Sequence, residues 1–158
     1  MKSNITFLFL ILSFFSTTKL LACECPQYEL DILDEKSYEF SDLIIIGEVI
    51  KTGSDYKIKV IEVLKGNITE QIINGTITDE KEYINSCLSL PKIKGKYLFY
   101  LNEIKKKDKK FYTYSSCSGT RLLDMSSLPV SLSSNKTKSE LVKETENWIK
   151  ILRDRRKR

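Results

Sequence analysis

Four cysteines carry most of the chemistry open to this 158-residue chain: Cys23, Cys25, Cys87 and Cys117. Two stand one residue apart in "LLACEC", directly after an apolar leader, and the other two are isolated. An even count in an exported domain reads as two disulfides, with three pairings open. Four thiolates could instead hold zinc, but the long gaps lack the paired C-x-x-C knuckles of a structural zinc site. The chain has no histidine, which removes His-based triads, His metal ligands and a His general base together. Acids such as Glu48 and Glu62 read most simply as solvated strand residues. No enzyme is therefore expected, and neither a resident metal nor a cofactor.

The chemistry of Cys23 depends on what happens at residue 22. Lys2 supplies a basic start, "ITFLFLILSFF" an apolar run too short to span a bilayer, and Ala22 a small residue before the cut. Residues 1–22 thus read as a signal peptide, and the mature chain begins at Cys23 in a secreted, periplasmic or extracellular setting. Leu20 and Ala22 also fit a lipoprotein signal, whereas Lys19 does not. Lipidation would use up the Cys23 thiol, block its amine and leave an odd cysteine in an oxidising compartment. Parity favours a bridged Cys23 with a free amine; the alternative is a protein anchored to a membrane through Cys23.

Twenty-six basic residues face 21 acidic ones, and the leader holds Lys2 and Lys19 but no acid, so the mature chain carries 24 against 21, a formal +3. The tail "RDRRKR" at 153–158 holds five positive charges and one negative, which leaves the body near neutrality. The tail reads as a frayed, solvated terminus, and no nucleic-acid partner is expected.

The elements that must position the cysteines follow from hydrophobic pattern. "YELDILDEKSYEF" reads as a short helix or irregular turn with Leu33, Tyr38 and Phe40 at loosely helical spacing. "SDLIIIGEVIKT" is a strand buried on both faces. "YKIKVIEVLKG" alternates, with Tyr56, Ile58 and Val60 on one face and Lys57, Lys59 and Ile61 on the other, and Gly53-Ser54-Asp55 turns between the two runs. "EQIINGTIT" is a third strand interrupted at Asn74-Gly75 by a tight turn or a bulge. "KYLFYLNEI" and "KKFYTYSS" form a hairpin around the lysine-rich loop "KKKDKK". "SSLPVSLSSNKTK" is a Ser-rich connector. A final helix starts at a capping box, Thr137 with Glu140, and lines up Leu141, Thr145, Trp148, Ile149 and Leu152 on one face. The whole is mainly β: a small barrel of about five strands with flanking helices, one of them C-terminal, stapled by two disulfides. It occupies residues 23–152 as one domain.

Taken in order, "CEC" at the mature terminus, "FSDLIIIGEV", "YKIKVIEVLKG", the isolated Cys87, "GKYLFYL" and "FYTYSSCSGTRLL" resemble the netrin-like domain. The nearest likeness is to the inhibitory domain of the tissue inhibitors of metalloproteinases, here a single-domain member of bacterial type. The resemblance implies a Greek-key barrel of the OB-fold kind, with Cys23 paired to Cys87 and Cys25 to Cys117. It also implies a function, inhibition of a zinc metalloprotease by chelation of its catalytic zinc through the α-amine and carbonyl of Cys23. Glu24 would enter the specificity pocket, and Cys25 and Pro26 would extend along the cleft. The alternative within the same likeness is a non-inhibitory netrin-like binding module, secreted or lipid-anchored. The chain departs from the family in having four cysteines rather than six, no C-terminal subdomain, and Glu24 where a small hydroxyl residue is usual. A carboxylate in an apolar pocket is costly unless paired or protonated, which argues against matrix-metalloproteinase-like targets.

Overall fold

The computed structural model describes residues 23–158 apart from Glu80 and Glu82; the expected signal peptide, 1–22, lies outside the described residues. Over the described residues the protein is mainly β, with a seven-stranded sheet and two helices. In chain order these are α1 (Leu30–Phe40), β1 (Leu43–Lys51), β2 (Lys57–Lys65), β3 (Ile72–Asn74), β4 (Leu88–Ser89), β5 (Lys96–Lys106), β6 (Lys109–Ser115), β7 (Arg121–Leu122) and α2 (Lys138–Arg156).

β1 sits at the centre, antiparallel to β2 on one side and to β5 on the other. Its apolar run has two faces to cover. Leu43, Ile45 and Val49 point into a core rich in aromatics, with Tyr56, Tyr97, Phe99, Tyr112 and Tyr114. Ile44 and Ile46 point the other way, under α2, against Leu64, Leu98, Tyr100, Trp148, Ile149 and Leu152. That double burial is why the strand reads as continuous hydrophobicity rather than as alternation. β2 alternates because its other face is wet: Tyr56 and Ile58 are buried while Lys57 and Lys59 are exposed.

β3 pairs with β2, β6 with β5, and β4 with β6. The sheet then returns on itself, because Gly75 just past β3 forms a parallel bridge with Tyr112 of β6. Gly75 N–H donates to the Tyr56 carbonyl at 2.8 Å and Thr76 N–H to the Tyr112 carbonyl at 3.0 Å, while the Tyr56 hydroxyl donates to that same Tyr112 carbonyl at 3.1 Å. Asn74-Gly75 is therefore neither a turn nor a bulge. The glycine is there because the Tyr56 ring occupies the space in which a Cβ would stand. Gly75→Ala is expected to destabilise by about 1–3 kcal/mol, the usual range for overpacking a filled site, as a lower urea midpoint at unchanged slope. An unshifted midpoint would mean that Tyr56 can swing aside.

The lysine-rich loop is shorter than its composition suggests. β5 runs through Lys106 and β6 starts at Lys109, so that only Lys107 and Asp108 turn, both at positive φ (47° and 64°). Two successive positive φ values are those of a hairpin turn whose twist matches its strands. The expected tail also differs: α2 continues to Arg156, and the arginines are docked rather than frayed. Arg153 bonds both oxygens of Glu62 (2.8 and 2.7 Å), Arg155 both oxygens of Glu35 (3.0 and 2.6 Å), and Arg156 donates to the Val63 carbonyl. These cations also suit the negative end of the helix. Arg153 holds the Glu62 carboxyl below its ordinary value. At the other end the capping box is complete, with Thr137 and Glu140 each serving the other's backbone N–H. Among the described residues, no helix is long and apolar enough to cross a membrane.

Candidate functional site

From Cys23 to Pro26 the chain has neither helix nor turn, and its exposure alternates: Cys23 and Cys25 are half-buried, Glu24 and Pro26 exposed. That is the period of an extended chain. Both half-cystines face the body. Cys23 is bridged to Cys87, one residue before β4, and Cys25 to Cys117, two residues past β6, with Cα–Cα distances of 5.0 and 5.1 Å. The bridges are adjacent, with Sγ of Cys23 3.9 Å from Sγ of Cys117. Three cysteine sulfurs thus cluster here, but no cysteine is free, so no thiolate is left to hold zinc.

Past the bridges the segment is held by backbone. Tyr28 N–H donates to the Ser131 carbonyl at 2.9 Å and Ser133 N–H to the Tyr28 carbonyl at 2.8 Å, while Gln27 Nε2 reaches the Val130 carbonyl at 3.1 Å. The Ser-rich connector is thus tied to the terminal segment by an isolated parallel bridge, Tyr28 with Leu132, and is not a slack linker. Fully buried Ser131 also ties it to the second bridge, its hydroxyl donating to the Cys117 carbonyl at 3.0 Å.

A run of serines wires the two receiving cysteines together. Ser116 N–H and Oγ both donate to the Cys87 carbonyl, at 2.9 and 3.3 Å, and Cys117 N–H donates to Ser115 Oγ at 3.0 Å. Short hydroxyl side chains can satisfy backbone groups that a turn leaves unpaired. Beside the segment, Pro26, Tyr28, Lys36, Phe40 and Ser118 line an open pocket of about 330 Å³.

Behind this turn lies a fully buried ion pair. Asp34 of α1 meets Arg121 of β7 through two hydrogen bonds, 2.6 and 2.9 Å. The Tyr100 hydroxyl donates to Asp34 at 2.7 Å and accepts from Trp148 Nε1 at 2.7 Å. Arg121 also donates to Thr145 Oγ1 at 3.0 Å and to the Gly119 carbonyl at 2.8 Å, and Gly119 N–H bonds Ser37 Oγ at 2.8 Å. Burial pushes the Asp34 carboxyl up against the pull of Arg121, burial carries the Tyr100 hydroxyl well above its ordinary value, and Asp34 keeps Arg121 a cation despite its burial. Among the described residues no buried side-chain nitrogen or oxygen lacks a partner. A network with every polar group satisfied fixes one arrangement, and this one locks α1, β5, β7 and α2 around the Cys117 turn.

The structure therefore brings Cys23, Glu24, Cys25, Pro26, Cys87 and Cys117 into one ridge. Sequence reasoning missed the ion pair beneath it. Its traces were Thr145 on an otherwise apolar helix face, and Asp34 and Ser37 spaced with Leu30 and Leu33 on the buried face of α1. Comparison of the chain with family models, with curated proteins and with solved structures returned no match.

Proposed function

We propose that the chain, matured to begin at Cys23, is a single-domain inhibitor of zinc metallopeptidases, similar in design to the tissue inhibitors of metalloproteinases and built on an OB-type barrel. The barrel reading is supported by the cyclic order β1-β2-β3-β6-β5-β1, with one parallel junction, at Gly75 and Tyr112. The observation that carries the function is the double bridging of Cys23-Glu24-Cys25. It would present one α-amine and one carbonyl with little freedom left to lose on binding.

Once cleaved, Cys23 has a backbone amine and carbonyl spaced to close a five-membered ring on a metal. An α-amine titrates at about 7.7–8.0, so a useful fraction is neutral near neutrality and metal binding draws off the remaining proton. A catalytic zinc keeps a position open for water or substrate, and the chelating terminus takes it. The Cys23 thiol plays no part, because it is bridged to Cys87. Exported protein is expected to show a mass starting at unmodified Cys23, four hydrogens below its reduced form, and to inhibit a zinc endopeptidase in a way that acetylation of the amine abolishes. A lipid-sized increment on Cys23 would end this reading in favour of an anchored binding module.

A further inference from the structure

The pocket of about 330 Å³ beside the terminal segment has chemistry that the fold does not use. Its apolar lining comes from Pro26, Tyr28, Leu33 and Phe40, and Phe40, the last residue of α1, is 77% exposed. A phenyl ring left in water at a pocket wall contributes little to the core and offers a face on which an apolar group can pack. The charges around the pocket leave one sign over. Lys36 is the charged residue of the lining. Its ammonium stands 5.2 Å from the centre of the Tyr28 ring and has no carboxylate partner among the described residues. Of the acids on the same helix, Glu35 is bound to Arg155 and Asp34 to Arg121, while Asp31 and Glu39 do not line the pocket. The carbonyls at the C-terminal end of α1 would repel an anion, but Lys65 donates to those of Tyr38 and Ser41 at 2.6 and 2.7 Å.

Two hydroxyls of the lining also have an unused hydrogen. Ser37 Oγ accepts from Gly119 N–H at 2.8 Å and Ser115 Oγ from Cys117 N–H at 3.0 Å, and neither hydroxyl donates to any group among the described residues. A serine hydroxyl carries one donor besides its lone pairs, and a donor as buried as that of Ser37, 7% exposed, is best satisfied by an acceptor within the pocket. An ammonium without a counter-ion and two donors without acceptors favour the same kind of group. A cation would be repelled by Lys36, and a neutral apolar molecule would leave all three unanswered.

We infer that this pocket binds a small organic anion, a carboxylate or sulfonate carried on an apolar body the size of one aromatic ring or a short acyl chain. Its acid group is met by Lys36 and the serine hydroxyls, and its body packs on Phe40, Tyr28 and Pro26. The volume lies at the small end of ligand sites, which run from roughly 300 to 1,000 Å³. The site does not depend on the inhibitory reading, since no residue in this argument is asked to reach a metal.

The test uses the disulfide-bonded protein beginning at Cys23 and three probes of one shape, phenylbutyrate, phenylbutanamide and phenylbutylamine, each titrated while backbone amide shifts are followed by NMR. Phenylbutyrate is expected to saturate, with its shifts confined to α1, residues 26–28 and the turn at 115–119, and to bind at least about tenfold more tightly than the amine, as for a hydrogen bond to a charged group. Lys36→Gln should weaken phenylbutyrate about 5- to 10-fold, the low end for such a bond because Lys36 stays exposed, and leave the amide unchanged. Phe40→Ser should weaken acid and amide alike. Both side chains are exposed, so the melting temperature of each variant should match the wild type. Equal binding of acid and amine, or phenylbutyrate bound by Lys36→Gln as by the wild type, would overturn the anion site. Shifts that never saturate, or that scatter over the surface, would overturn the pocket as a ligand site altogether.

Discussion

Arg121→Met is expected to destabilise the protein by about 3–5 kcal/mol, the usual result of removing one partner from a buried ion pair. On a domain of this size that lowers the melting temperature by on the order of 10 °C. The loss exceeds that of any exposed pair, such as Lys110–Glu103 or Lys136–Glu144, because exposed pairs are screened and contribute about 0–1 kcal/mol. Without Arg121 the Asp34 carboxylate keeps the Tyr100 hydroxyl but loses its counter-ion in a site closed to water. The sign of the pH dependence follows. Burial already raises Asp34 above its ordinary value of 3.8, against the lowering effect of Arg121, and the variant raises it further. The folded variant then holds the proton to a higher pH than the folded wild type, so the deficit of Arg121→Met grows as pH rises above the wild type's own raised Asp34 value and shrinks as pH falls toward 3.8. Adding Asp34→Leu to Arg121→Met should recover much of the loss, since apolar replacements for a whole buried pair are often neutral or better. A double variant that melts lower than Arg121→Met alone would show that the pair is worth more than its desolvation.

The second large effect is expected on removing the Cys25–Cys117 bridge as Cys25→Ser/Cys117→Ser. It joins residues 92 apart in sequence, and loop-closure entropy gives about 4–5 kcal/mol as an upper figure, reduced by any structure left in the denatured state. Cys23–Cys87, which joins residues 64 apart, differs by only a few tenths of a kcal/mol on the same model, because the cost grows with the logarithm of loop length. Stability alone will not distinguish the two, but position will. Loss of either frees one side of Glu24, and inhibition should weaken by more than the fraction unfolded explains. Urea unfolding followed alongside inhibition separates the two contributions. Inhibition that survives in the folded double-serine protein would assign the positioning to the Tyr28–Ser131–Ser133 hydrogen bonds instead.

What was legible in the sequence is what periodicity and cap chemistry encode. The face Leu141, Thr145, Trp148, Ile149 and Leu152 is buried in full, and β1 and β2 pair as their patterns require. Where three-dimensional partners decide, the pattern was silent. The aspartate of α1 finds its arginine 87 residues later, a pairing that no local spacing contains. Gly75 signalled a turn by composition, yet its reason is the ring of Tyr56. The arginines of the tail belonged, by charge alone, to a solvated end, until Glu35 and Glu62 on two other elements provided their partners. The cysteine count left three pairings open; the bridges are Cys23–Cys87 and Cys25–Cys117. Ser115 and Ser116, which tie Cys87 to Cys117, stood at the end of a strand run, and Ser131 in the Ser-rich connector; none of them signalled by composition that it wires the bridged segment.

The central claim is that a free amine on Cys23 does the inhibiting. Its most direct test is the inhibition constant of the protein beginning at Cys23 against that of the same protein carrying one alanine ahead of it. The extension is expected to weaken inhibition at least ~100-fold, a loss of about 3 kcal/mol of binding, with no change in melting temperature. Equal inhibition constants would contradict chelation through the Cys23 amine.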